Sequence, residues 1–173
     1  EDLDKFNSGK STAGPNVKII TNNFYIPQLD RQRRIWIYTP PDYDQTIDRL
    51  PVLYMFDGQN LFDQYTSFAG EWCVDETLDQ LFKEQHFRII IVGIDNGGTE
   101  RLDEYTPWPN LSYGGGKGDL MIRFIVETLK PYIDAHYRTI DKASSTGLMG
   151  SSLGGLLSNY GILHYQNIFH KAG

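Results

Sequence analysis

Two adjacent serines stand among small residues in the stretch LMGSSLGGLLSNYG, residues 148–161. The stretch fits the pattern G-x-S-x-G, with Ser152 at the centre and Gly150 and Gly154 on either side. In a strand–turn–helix of this kind the central serine has strained backbone, and the residues two before and two after it come close together. Ser151 has larger residues at those two places, so we reject it. The spacing predicts that Ser152 is a nucleophile; a plain strand–helix turn or a phosphate-binding turn is the alternative.

The elements that would position this serine alternate between strands and helices. A helix beginning at Leu153 would aim its N-terminal N–H groups at the serine and favour a developing anion. Apolar patterning predicts strands at 16–26, 33–40, 51–56, 88–94 and 145–150, and helices that begin near residues 74, 119 and 153. This order predicts an α/β fold with a mostly parallel sheet and helices on both faces, preceded by a flexible arm at 1–15. Chemistry in such sheets lies beyond the carboxyl ends of the strands.

Composition excludes several classes of protein. The net charge is −6 with acids and bases interspersed, which gives neither a basic nucleic-acid surface nor a membrane anchor. The longest strongly apolar run, 89–94, is too short to span a bilayer. The single cysteine, Cys73, allows no internal disulfide. The chain starts at Glu1, which we interpret as a trimmed N-terminus; cytoplasmic and secreted or periplasmic locations, and the oligomeric state, stay open.

Several further stretches resemble one known family. They are LPVLYMFDGQNLFD, EWCVDETLDQL, IIIVGIDNGG, ERLDEYTPW, LKPYIDAHYRT and GLMGSSLGG. Together they resemble the putative-esterase branch of the α/β-hydrolases, which includes feruloyl and acetyl-xylan esterases, S-formylglutathione hydrolases, enterobactin esterases and mycolyltransferases. The resemblance covers most of residues 32–173. It implies an α/β-hydrolase domain at 16–173 that reaches through the nucleophile turn.

The resemblance also implies roles for individual residues. Ser152 would accept the acyl group, and the backbone N–H of Leu153 would be one donor to the oxyanion. The second donor would be the N–H of Gln59, in the segment DGQ that follows a buried strand at its carboxyl end. Gly58 there lets the backbone approach a ligand, although an ordinary glycine turn is the alternative.

A long segment at 95–118 leaves the same edge of the predicted sheet, so we expect it to wall a substrate site. Its candidate substrate-binding residues, with one from an earlier loop, are Trp72, Arg101, Glu104, Tyr105 and Trp108. Aromatic walls suit sugars or aryl acyl groups. For each single aromatic, packing beneath a long loop is the competing interpretation.

A serine nucleophile needs a base, and the four histidines of this chain are poorly placed to supply it. His164 lies twelve residues beyond Ser152 on the same predicted helix, about 18 Å away at 1.5 Å per residue. His170 follows that helix, and His86 and His136 precede strands, at the opposite edge of the sheet. The expected histidine and acid would follow Ser152 in the chain. We therefore expect these residues to be the N-terminal part of a longer hydrolase, with the C-terminal strands missing.

The sequence thus predicts a serine esterase that forms an acyl-enzyme on Ser152 and acts on small-molecule or carbohydrate esters. It predicts no metal or organic cofactor and no nucleic-acid or membrane partner. The 173 residues alone are expected to be inactive for lack of the histidine and acid. Two alternatives stay open: an acyltransferase of the same family, and a non-catalytic binding protein with an incomplete triad.

Overall fold

A computed structural model describes residues 9–173. Its strands are β1 (Val17–Ile26), β2 (Arg31–Tyr38), β3 (Val52–Phe56), β4 (Ile90–Ile94), β5 (Pro109–Asn110), β6 (Gly114–Gly115), β7 (Thr146–Met149) and β8 (Lys171–Ala172). Its α-helices are α1 (Val74–Gln85), α2 (Arg101–Tyr105), α3 (Gly118–Phe124), α4 (Lys130–His136) and α5 (Leu153–His164). Strands and helices alternate through most of this order, as the sequence predicts.

Six of these strands form one sheet in the order β1-β2-β4-β3-β7-β8. The strands β4, β3, β7 and β8 run parallel, whereas β1 and β2 pair antiparallel at one edge. The residues of β4 are all buried, which explains its continuous apolar sequence. The predicted α/β fold with a mostly parallel sheet is confirmed.

Side chains of β3 alternate between two apolar cores. Tyr54 and Phe56 belong to the larger core, which the helices after β4 cover. Met55 points the other way and packs with Phe62 in the smaller core, against which α1 places Val74. The period of two along the strand therefore lets helices cover both faces and leaves the carboxyl ends of β3 and β7 free to carry a site.

The segment at 95–118 is more ordered than the loop that its glycines and prolines predict. It contains a 3₁₀ turn at Gly98–Glu100, the helix α2 and a two-stranded ribbon of β5 and β6. The next helix is continuous from α3 to α4 through a π-helical segment at Ile125–Leu129. Pro131 lies in the first turn of α4. It lacks an N–H to donate back along the helix, and the wider π segment precedes it.

Residues 1–8 of the expected flexible arm at 1–15 lie outside the described residues, and the arm stays a prediction. Within its remainder, the hydroxyl of Ser11 donates to Asp63 at 2.7 Å and the N–H of Gly14 donates to Asp75 at 2.8 Å. These bonds join the segment to the loop after β3 and to α1. Within residues 9–173, no helix has both the length and the apolar character needed to cross a membrane.

Candidate active site

Ser152 lies in the turn between β7 and α5. Its backbone has φ 57° and ψ −119°, a combination that non-glycine residues adopt only where the surrounding structure imposes it, at a cost of about 1–3 kcal/mol. The carbonyl of Ser152 accepts a hydrogen bond from the N–H of Leu156 at 3.0 Å, and that of Ser151 accepts one from Gly154 at 2.8 Å. The strained turn is thus bonded into the first turn of α5, with Ser152 exposed at its tip.

The two glycines of the pattern approach each other closely, as the sequence predicts. A Cβ on Gly150 would lie 2.5 Å from the carbonyl carbon of Gly154 and 2.8 Å from its Cα, distances that real Cβ atoms essentially never show. A Cβ on Gly154 would meet the Cβ of Phe56 first, at 3.2 Å, and Oδ2 of Asp57 at 3.6 Å. Glycine is therefore a strict requirement at 150 and a milder one at 154. The same contacts bring α5 against the end of β3.

The Asp57 turn, residues 57–59, follows β3 at that end. Asp57 has φ 56° and ψ 48°, the left-handed conformation. A Cβ on Gly58 would lie 2.9 Å from both the carbonyl carbon of Ile94 and the backbone nitrogen of Asp95. Gly58 therefore packs directly against the end of β4, where only glycine fits, and Gln59 follows at the carboxyl edge of the sheet.

Two backbone donors at this edge have no acceptor among residues 9–173. Among residues 9–173, no backbone or side-chain group accepts a hydrogen bond from the N–H of Gln59 or of Leu153. Gln59 lies in a 3₁₀ turn and Leu153 is the first residue of α5, so neither has a partner earlier in its own helix. The N-terminus of α5 adds a partial positive charge. Free N–H groups at the ends of the adjacent strands β3 and β7 are suited to stabilising an anion.

A cleft of about 710 Å³ opens at this edge, and its lining includes Gln59 and Ser151 but neither Ser152 nor Leu153. Its lining includes Asp57, Gln59, Phe68, Trp72, Arg101 and Ser151. Phe68 is 93% exposed and Trp72 is 43% exposed, so two aromatic side chains are available to a ligand. The cleft therefore joins the Asp57 turn and the serine turn to an aromatic wall.

The carboxylate of Asp57 is held by two residues of the segment after β4. Arg101 donates from Nε to Oδ1 at 2.7 Å and from Nη2 to Oδ2 at 2.8 Å, and Asn96 donates from Nδ2 to Oδ1 at 2.7 Å. The N–H of Asn96 also donates to Oε1 of Gln59 at 2.9 Å. The hydrogen bonds to the Asp57 carboxylate raise the pKa of Arg101 above its usual value, so the guanidinium stays charged.

The structure separates the five predicted substrate-binding residues. Trp72 and Arg101 line the cleft, but Glu104, Tyr105 and Trp108 do not. Glu104 and Tyr105 are completely buried because α2 turns them inward. Glu104 pairs with Nη2 of Arg33 at 2.8 Å.

Tyr105 has the hydroxyl that accepts a hydrogen bond from the N–H of Asp57 at 3.1 Å, and burial raises the pKa of this tyrosine. Trp108 is exposed and packs edge-on against Tyr160, with ring centroids 5.9 Å apart. The structure therefore places these three residues away from the cleft: Tyr105 bonds to the Asp57 turn, Glu104 is buried in its ion pair with Arg33, and Trp108 lies outside the cleft lining.

Asn96 and Phe68 were not predicted from the sequence. Asn96 follows β4 just as the Asp57 turn follows β3, so the carboxyl-end rule that found Gln59 applies to it equally. Phe68 lies in the loop between β3 and α1, and nothing in the sequence of that loop indicates that the Phe68 ring is exposed. Its position depends on the fold of that loop, where its N–H donates to the side chain of Asn60 at 2.9 Å.

The histidines within residues 9–173 lie outside the lining of the cleft. His164 ends α5, at the far end from Ser152, and its ring packs on Tyr160 with centroids 4.1 Å apart. His136 ends α4 and stacks on Tyr132 at 4.0 Å. The described residues thus supply a candidate nucleophile and candidate anion donors to this edge of the sheet, but no imidazole.

One group of side chains could offer ligands to a metal ion. Glu71, Cys73 and Glu76 bring their ligand atoms within 4.8 Å of one another. Desolvation, followed by the neighbouring carboxylates, raises the pKa of the Cys73 thiol and disfavours the thiolate that binds metals. Acidic groups of this kind are common at protein surfaces without an ion, so we assign no metal to them.

Comparison with known proteins places this geometry in a family. The family described as "Putative esterase" matches residues 26–173. An uncharacterized protein of Bacillus subtilis, YbbA, is 33% identical over 148 residues, which are 82% of this chain and 55% of that protein. The chain therefore spans about half the length of this curated relative.

Solved structures share the fold. An IroE-like serine hydrolase from Shewanella oneidensis superposes with a TM-score of 0.72 at 24% identity, over 90% of this chain and 48% of that one. An enterochelin esterase from Shigella flexneri gives a TM-score of 0.68 at 23% identity, over 95% of this chain and 37% of that one. These likenesses confirm the predicted fold class.

Proposed function

Because the chain belongs to the Putative esterase family, we propose that it is the nucleophile-bearing part of a serine esterase. One observation carries the proposal: Ser152 has φ 57° and ψ −119° at the tip of a glycine-flanked turn. Strained backbone of this kind is costly and is typical of functional sites. Two N–H groups at the same edge of the sheet, which have no acceptor among residues 9–173, would meet the second requirement of acyl transfer, a site for the oxyanion.

In the proposed mechanism the hydroxyl oxygen of Ser152 attacks the ester carbonyl. The negative charge that develops on the carbonyl oxygen is stabilised by the N–H groups of Gln59 and Leu153. The tetrahedral intermediate collapses to an acyl-enzyme as the alcohol leaves with a proton, and water then releases the acid by the reverse path. The general base is a histidine, oriented by an acid, and both lie outside residues 9–173.

This arrangement divides the catalytic groups between the described residues and the rest of the site. With the anion donors in place but no base, residues 1–173 alone would retain only a small residual rate, because removing any triad member leaves oxyanion stabilisation and binding. We therefore expect ester hydrolysis only from a chain that also carries this histidine and acid.

The cleft supports a substrate with a flat apolar group. The exposed rings of Phe68 and Trp72 can pack on an aromatic acyl group, and aromatic rings also stack on sugars. Relatives with this fold are described as an enterochelin esterase and a ferulic acid esterase. We therefore propose two substrate classes: esters of acyl groups on carbohydrates, and esters of aromatic acids.

Two adjacent serines provide a matched test. Hydrolysis of a p-nitrophenyl ester by the complete gene product should fall at least about 1,000-fold in Ser152→Ala, given the size of nucleophile losses in serine hydrolases. Ser151→Ala should stay within about threefold of the parent. Unchanged hydrolysis by Ser152→Ala would contradict the proposed mechanism.

Product analysis with an added alcohol separates the two enzymatic alternatives. Free acid is expected from an esterase, and a new ester would identify an acyltransferase that uses the same residues. A non-catalytic binding protein is favoured only by the lack of a histidine in the cleft within residues 9–173. Such a protein would bind an ester without turnover in every variant.

A further inference from the structure

The N–H of Gln59 can stabilise an oxyanion only if its direction is fixed. The Asp57 turn that carries it begins with a non-glycine residue at φ 56°, a conformation that few residues other than Asn and Asp adopt. Asp57 is only 7% exposed. Both its backbone and its buried carboxylate therefore need partners that hold them in place.

The segment after β4 supplies these partners. Arg101 grips the carboxylate with two hydrogen bonds of 2.7 and 2.8 Å, and Asn96 adds a third of 2.7 Å. Asn96 also donates its N–H to the side chain of Gln59 at 2.9 Å. Asn96 thereby bridges the residues on either side of Gly58, and Arg101 fixes the first of them.

The position of Arg101 is in turn fixed by the helix α2 and a buried ion pair. It begins α2, whose Glu104 is completely buried and pairs with Arg33 through bonds of 2.8 and 2.9 Å. A Cβ on Gly97 would lie 2.7 Å from Nη1 of Arg33, so the backbone before α2 lies directly on this ion pair. A continuous set of contacts thus runs from the ion pair through α2 and Arg101 to the Asp57 turn.

We propose that Arg101 and Asn96 are positioning residues, which fix the Asp57 turn so that the N–H of Gln59 faces the developing oxyanion. This rests on the esterase function proposed above. It assigns Arg101 a role other than the substrate binding that the sequence predicts. The geometry favours positioning because Asp57 accepts hydrogen bonds from both Nε and Nη2 of the Arg101 guanidinium.

The two roles predict different kinetics. A positioning residue affects a contact that matters in the transition state, so its loss lowers kcat and leaves KM unchanged. A residue that binds an anionic substrate raises KM when it is removed, and does so more for an anionic ester than for a neutral one.

The test uses the complete gene product with Arg101→Lys, which keeps the charge but not the two-pronged geometry, and with Asn96→Ala. Arg123→Lys, in an exposed pair with Glu127, is the matched control. We expect Arg101→Lys to lower kcat by about 10- to 100-fold, the cost of a misplacement of up to 1 Å, with KM within about twofold for neutral and anionic esters alike. Asn96→Ala should give a smaller effect of the same kind.

Affinity for an alkyl boronate, whose tetrahedral serine adduct resembles the intermediate, should fall by the same factor as kcat/KM. Fluorophosphonate titration of active sites corrects each variant for any misfolded fraction. An unchanged kcat in both variants, or a rise in KM alone, would overturn the positioning role. Failure of the esterase proposal is distinguishable, because Ser152→Ala would then hydrolyse the same esters as fast as the parent.

Discussion

The substitution Gly150→Ala tests the serine turn most sharply, because the added atom would meet backbone. Its Cβ would lie 2.5 Å from the carbonyl carbon of Gly154 and 2.8 Å from both the Cα and the oxygen. Backbone cannot rotate away as a side chain can. Relief therefore requires the chain on one side of Ser152 to shift by on the order of 1–1.5 Å, since ordinary carbon–carbon contacts lie near 3.5–4.0 Å.

A shift of this size moves the serine oxygen and the N–H of Leu153 relative to each other. We expect kcat to fall at least about 100-fold, the penalty that a 1 Å misplacement carries, and the free energy of unfolding to fall by about 1–3 kcal/mol from overpacking. Gly154→Ala is the matched control. Its Cβ first meets the Cβ of Phe56 at 3.2 Å, and alanine inside a helix recovers up to about 1 kcal/mol relative to glycine.

The assay compares both alanine variants with the parent in ester hydrolysis and in urea unfolding, with active sites counted by fluorophosphonate. Gly150→Ala should be the weaker enzyme by at least about tenfold, which is the gap left if the control loses no more than a factor of ten. Equal activity in the two variants, or a loss larger in Gly154→Ala, would refute the argument from backbone contacts.

Three further outcomes follow from buried charge and from the cleft. Burial raises the pKa of Asp75 to about 7, whereas the same carboxyl in the unfolded chain ionises at a pH of about 4. Folding is therefore disfavoured as pH rises from about 4 to about 7. The free energy of unfolding of Asp75→Asn in urea should exceed that of the parent by about 2–4 kcal/mol at pH 8 and by little at pH 4. A gain that does not depend on pH would contradict this. Glu104→Gln leaves Arg33 buried without a counter-charge and should cost about 3–5 kcal/mol in the same measurement; a loss below 1 kcal/mol, of the size of an exposed ion pair, would show that the pair is not buried in solution. Trp72→Ala should raise KM for an aryl ester by about tenfold through lost apolar contact, whereas Trp108→Ala should leave KM unchanged, and equal effects would place the cleft elsewhere.

The serine turn could be predicted from sequence because its requirements are local. The glycines at 150 and 154 indicate that the backbone on the two sides of Ser152 comes close together within five residues. The strand before them and the helix after them are predicted from apolar patterning. The parallel sheet follows from the alternation of strands and helices. The structure shows this close approach and this sheet; the catalytic roles of Ser152, Gln59 and Leu153 stay predictions.

The wall of the cleft could not be predicted, because it depends on which way side chains turn in the segment after β4. The sequence does not distinguish the four candidates of this segment, Arg101, Glu104, Tyr105 and Trp108, as cleft or core residues. In the structure the short helix α2 buries Glu104 and Tyr105 and leaves Arg101 at the cleft. A helix of five residues gives too short a pattern to assign a buried face. The partners of Asp57 were missed for the same reason, since they come from residues 39 to 48 positions later in the chain.

The most direct measurement is an intact mass spectrum of the complete gene product before and after treatment with a fluorophosphonate that labels activated serines. We expect a single adduct, which peptide mapping places on Ser152 and which is absent from Ser152→Ala but present in Ser151→Ala. Residues 1–173 alone should react far more slowly. Failure of the complete gene product to form an adduct, or an adduct on another residue, would contradict the claim that Ser152 is the nucleophile.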